Sequence, residues 1–225
     1  MAIRVTIRRL VQNVIFDLDG TLLDTIGDIK DAINDALKAS SFPYRYSKDG
    51  CRFLIGDGAD NLVHRALKQM DSKENFEKLK KEYMPRYKDY QNRTTKPFPG
   101  IEESLQYLKK HGISLFVCTN KPDAYAQIII SKFFDALLFK GVRGLKDGEE
   151  PKPNPAIVNY FVDTFKLDKR ETIFVGDSIT DLHTAENSKL PLALCLWGYG
   201  FYDEALKSKA KMLLVKPKDL EKIIL

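Results

Sequence analysis

Two aspartates, Asp17 and Asp19, follow a short apolar run and precede a glycine, Gly20. The run is typical of a buried strand, and residues two apart on an extended backbone point to the same side, so both carboxylates can converge on one ligand. Crowded carboxylates repel each other unless a cation lies between them, and Mg²⁺ is the usual cation beside phosphate. The alternative interpretation is an acidic turn in which Thr21 and Asp24 form a capping box.

Two further polar stretches suit phosphate binding. Thr119 follows another apolar run and offers a hydroxyl and a backbone N–H at the expected opening of a helix, where anions bind readily. Lys152 lies between Pro151 and Pro153, which fix the backbone and hold the lysine stiffly, as suits point-charge binding of phosphate. The structural alternatives are a polar helix cap for Thr119 and a proline-rich surface loop for Lys152.

A fourth stretch repeats the pattern of the first. An apolar run ends in a glycine and Asp177, and a second carboxylate, Asp181, follows four residues later. Ser178 and Asp181 match a capping box, but Asp177 lies at the strand end itself, where a helix cap does not account for it. His183, on the helix that follows, is predicted to be a surface residue rather than a ligand.

The composition is typical of a soluble globular protein. Of 225 residues, 44% are hydrophobic and 30% are charged, and the formal net charge is +5. This mildly basic balance suits an anionic substrate, but the basic residues are spread along the chain, so nucleic-acid binding is not expected. The cysteines at 51, 118 and 195 show no metal or disulfide spacing, which favours a reducing, cytoplasmic location.

No apolar run reaches the ~18 residues that a membrane-spanning helix needs, so no membrane association is expected. Residues 1–13 include arginines but lack the long apolar core and cleavage pattern of a signal peptide. This segment is expected to be a short extra strand or a disordered extension.

The rest of the chain divides into a helical segment and an alternating one. Residues 25–91 have helical periodicity, with a capping-box pattern at Thr25 and Asp28 and a kink or break predicted at Pro85. Strands predicted at 113–118, 136–139, 172–175, 192–196 and 212–215 alternate with helices. This alternation favours an α/β fold with a doubly wound, Rossmann-like parallel sheet, whose ligands bind beyond the carboxyl ends of the strands.

The four stretches, in this order and spacing, resemble the motifs of the haloacid dehalogenase (HAD) superfamily of phosphotransferases. The first motif corresponds to residues 17–21, the second to Thr119, the third to Lys152, and the fourth to residues 176–178 with Asp181. The resemblance covers residues 14–196. It implies a core domain of residues 1–24 and 92–225 and a small α-helical cap domain of residues 25–91.

This resemblance also implies a role for each motif residue. Asp17 would attack phosphorus to give an aspartyl-phosphate, and Asp19 would protonate the leaving oxygen and then activate the hydrolytic water. Thr119, Asn120 and Lys152 would bind the substrate, with Lys152 stabilising charge in the transition state. The cofactor would be Mg²⁺, held by Asp17, the backbone carbonyl of Asp19 and Asp177, with Asp181 supporting that set.

Further residues narrow the implied activity. The superfamily's dehalogenases lack the second aspartate, so Asp19 indicates a phosphatase or a mutase, and a cap that excludes water implies a small phosphorylated metabolite. The stretch from Arg52 to Gly58 resembles phosphoglycolate phosphatases. The alternatives are a β-phosphoglucomutase-like phosphomutase, a pyrophosphatase or sugar phosphatase of the same superfamily, and a non-catalytic regulatory module. A monomer or a homodimer is expected.

Phosphoglycolate carries a carboxylate in addition to its phosphate, so its site needs a second cation. The core motifs supply none, which leaves the cap. Arg52 is the candidate because it precedes a glycine-containing turn and its planar guanidinium suits a carboxylate. The alternative is that Arg52 is a solvated surface charge.

Overall fold

The computed structural model describes residues 11–90 and 92–224, and a six-stranded sheet lies at its centre. Its strands are β1 (Asn13–Phe16), β4 (Ser114–Pro122), β5 (Gly141–Leu145), β6 (Thr172–Gly176), β7 (Leu192–Cys195) and β8 (Met212–Leu214). They pair in parallel in the order β5-β4-β1-β6-β7-β8. A separate antiparallel pair consists of β2 (Leu23–Asp24) and β3 (Lys96–Pro97).

β1 lies between β4 and β6 and determines where the first motif emerges. Its last residue, Phe16, is in register with Val117 of β4 and with Val175 of β6. The residues that follow these three positions therefore lie at one edge of the sheet. Every residue of β1 is buried.

Helices cover both faces of the sheet, as the strand–helix alternation predicts. Val14 and Phe16 point to one face and Ile15 to the other, because side chains alternate along a strand. The first face carries α5 (Ile101–Lys110), α6 (Asp123–Phe133) and the 3₁₀ helix Pro217–Ile224, and the second carries α7 (Ala156–Phe165), α8 (Ile179–Ser188) and α9 (Glu204–Lys209). The predicted α/β fold class is confirmed.

Between β2 and β3 the chain forms a helical cap with its own core. Its helices are α1 (Ile26–Ala39), α2 (Lys48–Cys51), α3 (Ala59–Leu67) and α4 (Lys73–Tyr90). A short 3₁₀ helix, Lys68–Met70, lies between α3 and α4. Ile33, Leu37, Leu67 and Tyr83 are among the buried residues of this core. The four helices fall within the predicted cap segment, 25–91, while the domain boundaries themselves stay a prediction.

Of the kink or break predicted at Pro85, the break is not found, since α4 runs through this residue from Lys73 to Tyr90, and the kink stays a prediction. A proline inside a helix removes one backbone hydrogen bond and costs roughly 3 kcal/mol. The helix buries Leu79, Tyr83 and Tyr87, and burial of one large apolar side chain stabilises by about 1.5–3 kcal/mol. Packing of this face on the cap core therefore offsets the loss at Pro85.

Asp28, in the first turn of α1, connects the cap to the segment that leads back into the core. Its carboxylate accepts hydrogen bonds from the backbone N–H groups of Asn92, Arg93, Thr94 and Thr95 at 2.8–3.1 Å, and from the hydroxyls of Thr94 and Thr95 at 2.7 Å. Burial raises the pKa of Asp28, but the hydrogen bonds from Thr94 and Thr95 outweigh it and leave the pKa below its ordinary value. The predicted capping box with Thr25 is wrong, because the Thr25 side chain makes no cap hydrogen bond.

The strand predicted at 136–139 is also wrong, since β5 begins at Gly141. Leu137, in the apolar run that prompted the prediction, is 80% exposed. A Cβ atom at Gly141 would lie 2.8 Å from the ring of Phe161, so a glycine is needed for close packing of α7 on this strand. A strand that begins with glycine carries little hydrophobic signal.

Of the N-terminal segment 1–13, residues 1–10 lie outside the described part of the chain, and the predictions made for them are not addressed by it. Among the described residues, no helix has the length and apolar character needed to cross a membrane. Cys51, Cys118 and Cys195 are all buried and free.

Candidate active site

The carboxyl ends of β1, β4 and β6 bring the predicted motif residues together. Asp17 follows β1, Thr119 lies near the end of β4, and Asp177 follows β6. Lys152 comes from the loop between β5 and α7, and its ammonium group donates to Asp17 Oδ1 at 2.7 Å and to Asp181 Oδ1 at 2.8 Å. All five side chains are buried. The four sequence motifs therefore form one cluster.

Asn120 fixes the loop that carries Lys152. The backbone N–H of Lys152 donates to Asn120 Oδ1 at 2.6 Å, and Asn120 Nδ2 donates to the carbonyl oxygens of Lys152 and of Gly56, both at 3.1 Å. The Asn120 amide thus contacts one core loop and one cap loop. It positions Lys152, and its predicted contact with the substrate stays a prediction.

Asp17, Asp177 and Asp181 form a buried acidic cluster in which one oxygen of each lies within 4.8 Å of the others. Burial raises the pKa of Asp17 well above its ordinary value; Lys152 opposes this rise, and the charges of Asp181 and Asp177 add to it. Burial and the neighbouring charge of Asp181 raise the pKa of Asp177 to about 7. One lysine therefore does not neutralise three carboxylates.

The two carboxylates that follow β6 are held by different groups. Asp177 Oδ1 accepts from the Thr21 hydroxyl at 3.0 Å, and its Oδ2 accepts from the backbone N–H of Tyr199 at 2.7 Å. Asp181 Oδ2 accepts from the N–H groups of Asp177 and Ser178, both at 3.1 Å, and from the Ser178 hydroxyl at 2.7 Å. The capping box of α8 is present, so Asp181 caps a helix while its other oxygen contacts the buried lysine.

Three glycines pack around Asp177. A Cβ atom at Gly20 would lie 2.6 Å from Asp177 Oδ2, one at Gly198 would lie 2.4 Å from the same oxygen, and one at Gly200 would lie 1.9 Å from the Asp177 carbonyl oxygen. Gly20 also has a φ of +90°, a backbone conformation that favours glycine. The loop after β7 and the first motif can therefore approach this carboxylate only without side chains.

The acidic cluster fits a divalent cation with oxygen ligands. Carboxylate oxygens are the ligands that Mg²⁺ prefers, and the raised pKa values of Asp17 and Asp177 reflect burial and repulsion that a cation would relieve. Asp181 accepts hydrogen bonds from the buried lysine and from the backbone at the start of α8, and its predicted supporting role toward a metal stays a prediction. The ligand role of the Asp19 carbonyl stays a prediction.

Asp19 lies apart from the acidic cluster and faces a lysine that was not among the predicted site residues. Lys121 Nζ donates to Asp19 Oδ1 at 3.0 Å and to Oδ2 at 3.2 Å, and it also contacts the hydroxyl of Tyr87 from cap helix α4. The sequence contains one signal for Lys121: it stands two residues after Thr119 on a strand, and residues so spaced share a side.

The surroundings of Thr119 differ from those predicted. β4 continues to Pro122 and α6 begins only at Asp123, so Thr119 does not lie at a helix start. Its side chain is buried, lines the same cavity as Asp17, and accepts from the N–H of Lys121 at 3.2 Å.

A cavity of about 600 Å³ lies between the core and the cap. Asp17, Asp19 and Thr119 line it from the core, and Ile29 and Leu62 line it from the cap. A ligand that contacts the two aspartates is therefore covered by the helical layer, which limits its contact with water.

Arg52, which directly follows α2, lines the cavity, but its guanidinium contacts the backbone of the loop after β7. Its Nε donates to the carbonyl of Tyr199 and its Nη2 to the carbonyl of Gly200, both at 2.9 Å, and it lies 5.2 Å from the centre of the Phe201 ring. The predicted carboxylate contact of Arg52 stays a prediction. His183 is exposed on α8.

In a comparison with models of protein families, the model of the haloacid dehalogenase-like hydrolases matches residues 14–195. The match includes all four motifs. The chain belongs to this hydrolase family. The sequence motifs and the doubly wound sheet agree with that membership, and the predicted superfamily is confirmed.

Relatives within the family carry phosphatase names. The chain is 32% identical over 215 residues to the phosphoglycolate phosphatase of Photorhabdus laumondii, covering 93% of this chain and 91% of the relative. It is 30% identical to the phosphoglycolate phosphatase of Vibrio parahaemolyticus, covering 84% and 85%. A crystal structure named as a predicted phosphoglycolate phosphatase from Haemophilus somnus superposes with a TM-score of 0.87 at 31% identity, covering 96% and 98%.

Proposed function

We propose that the protein is a Mg²⁺-dependent phosphatase that hydrolyses a small phosphate monoester, phosphoglycolate, through an aspartyl-phosphate intermediate. The observation that carries this proposal is the buried contact between Lys152 and Asp17 at the edge of the sheet, with Asp19 two residues away facing the same covered cavity. The names of the relatives support phosphoglycolate as the substrate.

Asp17 is the proposed nucleophile. One of its oxygens attacks phosphorus, the bond from phosphorus to the leaving oxygen breaks, and an aspartyl-phosphate forms. Lys152 approaches Asp17 within 2.7 Å, so its ammonium is placed to bind the phosphoryl oxygens while charge develops on them. The Thr119 hydroxyl lies in the same cavity and donates to a phosphoryl oxygen.

Asp19 is the proposed acid and base. It gives its proton to the leaving oxygen in the first step, so the product leaves as an alcohol. In the second step it takes a proton from water, which attacks phosphorus, releases inorganic phosphate and restores Asp17. The Asp19 side chain is 21% exposed, which gives it the access to the cavity that both transfers require.

Asp17 and Asp177 would hold Mg²⁺, and Asp181 would orient them through Lys152 and the backbone of residues 177 and 178. When bound, the ion supplies positive charge that offsets repulsion between the nucleophile and the phosphate dianion. Thr21 and Tyr199 keep the Asp177 oxygens in place by donating to one each.

A panel of phosphate esters tests the proposal. The purified protein with Mg²⁺ should release inorganic phosphate from phosphoglycolate with a higher kcat/KM than from sugar phosphates or pyrophosphate. Asp17→Asn keeps the side-chain volume but removes the attacking charge, so it should abolish release while leaving the circular dichroism spectrum unchanged. Isomerisation of a sugar phosphate in place of phosphate release would instead identify a mutase, and full activity of Asp17→Asn would disprove the covalent step.

A further inference from the structure

Lys121 is a buried cation beside the reaction centre to which the proposed phosphoryl chemistry assigns no role. Its side chain is 1% exposed. A buried ion pair is costly to desolvate, and its replacement by apolar side chains is often neutral or stabilising. Lys152 already supplies a cation on the side of Asp17, so the second lysine calls for a different reason.

The geometry places Lys121 on the side of the leaving group. Its Nζ lies 3.0 Å and 3.2 Å from the two oxygens of Asp19, and the leaving oxygen must come within hydrogen-bond distance of that same carboxyl group. Tyr87 contacts Lys121 as a neutral phenol. Burial is the main cause that raises the pKa of this phenol well above its ordinary value, and the charge of Asp19 adds to it. An ammonium has three N–H donors, and those of Lys121 contact the two Asp19 oxygens and Tyr87. A ligand carboxylate would therefore share or replace one of the two Asp19 contacts while the other contacts stay.

The chemistry of an α-hydroxy acid phosphate matches this position. Its carboxylate carbon is attached to the carbon that carries the leaving oxygen. When that oxygen meets Asp19, the carboxylate therefore lies next to the neighbouring ammonium of Lys121. A substrate without a charged group at this position gives Lys121 no anion to bind.

Other cations that line the cavity have different partners. Arg52 donates to two backbone carbonyls, Arg65 pairs with an aspartate of the cap, and Lys209 is half-exposed and pairs with a glutamate of α8. Of the cavity cations in the described part of the chain, Lys121 is the one in contact with Asp19.

We propose that Lys121 binds the carboxylate of the leaving group and thereby selects phosphate esters of short α-hydroxy acids over esters with an uncharged leaving group. This inference rests on the proposed phosphatase function and assigns its substrate selectivity to a core residue rather than to the cap.

The test compares two nearly isosteric substrates, phosphoglycolate and the phosphate ester of glycolamide, in the full-length protein with Mg²⁺. Lys121→Met keeps the length of the side chain and removes its charge. The ratio of kcat/KM for phosphoglycolate to that for the amide should fall about 30-fold, the size of a lost charged hydrogen bond. Lys209→Met is the matched control at another lysine that lines the cavity, and its ratio should stay within about threefold of the original.

A binding measurement keeps the proposal testable if Lys121→Met slows turnover on both esters. In an Asp17→Asn background, calorimetry should give a similar fall in the preference for phosphoglycolate over the amide when Lys121→Met is added. Equal losses on both ligands would overturn the proposal while the phosphatase function stands. A larger change of the ratio in Arg52→Met would do the same, because it would assign the carboxylate to the cap cation predicted from the sequence. If the unmodified protein hydrolysed neither ester, phosphoglycolate would be disproved as the substrate of the proposed function, and the calorimetric preference would still report on Lys121. Lys121→Gln serves as the second variant if Lys121→Met does not fold.

Discussion

Asp177 should destabilise the folded protein at neutral pH when no divalent cation is present. The pKa of this carboxyl is raised from 3.8 to about 7 by burial and by Asp181. A carboxyl whose pKa is higher in the folded than in the unfolded chain binds its proton more tightly when folded. The two states are equally protonated below about pH 4, so the folded chain loses stability as the pH rises from there and the loss is complete above pH 7.

The magnitude follows from the two pKa values. Each pH unit between them corresponds to about 1.4 kcal/mol, so the loss approaches about 4 kcal/mol at pH 8 and less than half of that at pH 5. Asp177→Asn removes the charge, and its amide can still accept from the Tyr199 N–H and donate to the Thr21 oxygen. Without metal, this variant should therefore be more stable than the original protein at pH 8, and the difference should shrink at pH 5.

Urea unfolding, followed by circular dichroism at pH 5 and pH 8 in chelator and in Mg²⁺, measures these differences. Mg²⁺ should stabilise the original protein, more strongly at pH 8 than at pH 5, and should have little effect on Asp177→Asn. Asp31→Asn is the control, since Asp31 is a half-exposed carboxyl of α1 paired with Lys30. If Asp177→Asn is the less stable protein at pH 8 in chelator, or if it keeps the full response to Mg²⁺, the electrostatic reasoning is refuted.

Three further predictions concern Asp28, the loop that carries Lys152, and the metal. Asp28→Ala should lower the free energy of unfolding by about 3 kcal/mol at pH 7, because the backbone N–H groups around Thr94 and Thr95 lose their acceptor, and the difference from the original protein should diminish below pH 4 in urea titrations. Asn120→Ala should lower kcat about 10-fold or more in steady-state assays by freeing the Lys152 loop, and an unchanged kcat would contradict its positioning role. Chelation should abolish phosphate release and Mg²⁺ should restore it, whereas full activity in chelator would exclude a metal role for the acidic cluster.

The positions of the four motifs could be predicted because each is a local pattern. An apolar run that ends in Asp17 or Asp177 predicts both a buried strand and the polar group at its end. Parallel strands then bring these ends together at one edge of the sheet. The strand at Gly141 could not be predicted in this way, because its glycine is needed where Phe161 packs closely. A hydrophobic pattern predicts which side chains are buried. A buried position that must be glycine has no side chain and therefore adds nothing to that pattern.

Residues that join distant segments were also missed or misassigned. Asp28 has the sequence context of a helix cap, yet its partners lie more than 60 residues away in the chain. Lys121 resembles a solvent-exposed lysine in sequence, and it becomes buried only because Asp19 and the cap residue Tyr87 meet it in the folded protein. Which charged residue is buried depends on the tertiary structure, whereas the strand ends depend mainly on local sequence.

The glycines around Asp177 bear on how this enzyme can acquire new substrates. A single added carbon at Gly198 or Gly200 would collide with Asp177, so we expect a substitution at either position to displace this carboxylate before it can change selectivity. Cap positions such as Ile29 and Leu62 line the same cavity with side chains that can be exchanged for others. Evolution toward another phosphate ester, in nature or in the laboratory, is therefore expected to change lining side chains of this kind and to leave the glycines unchanged. A mutant library for this purpose should leave Gly198, Gly200 and Asp177 unchanged.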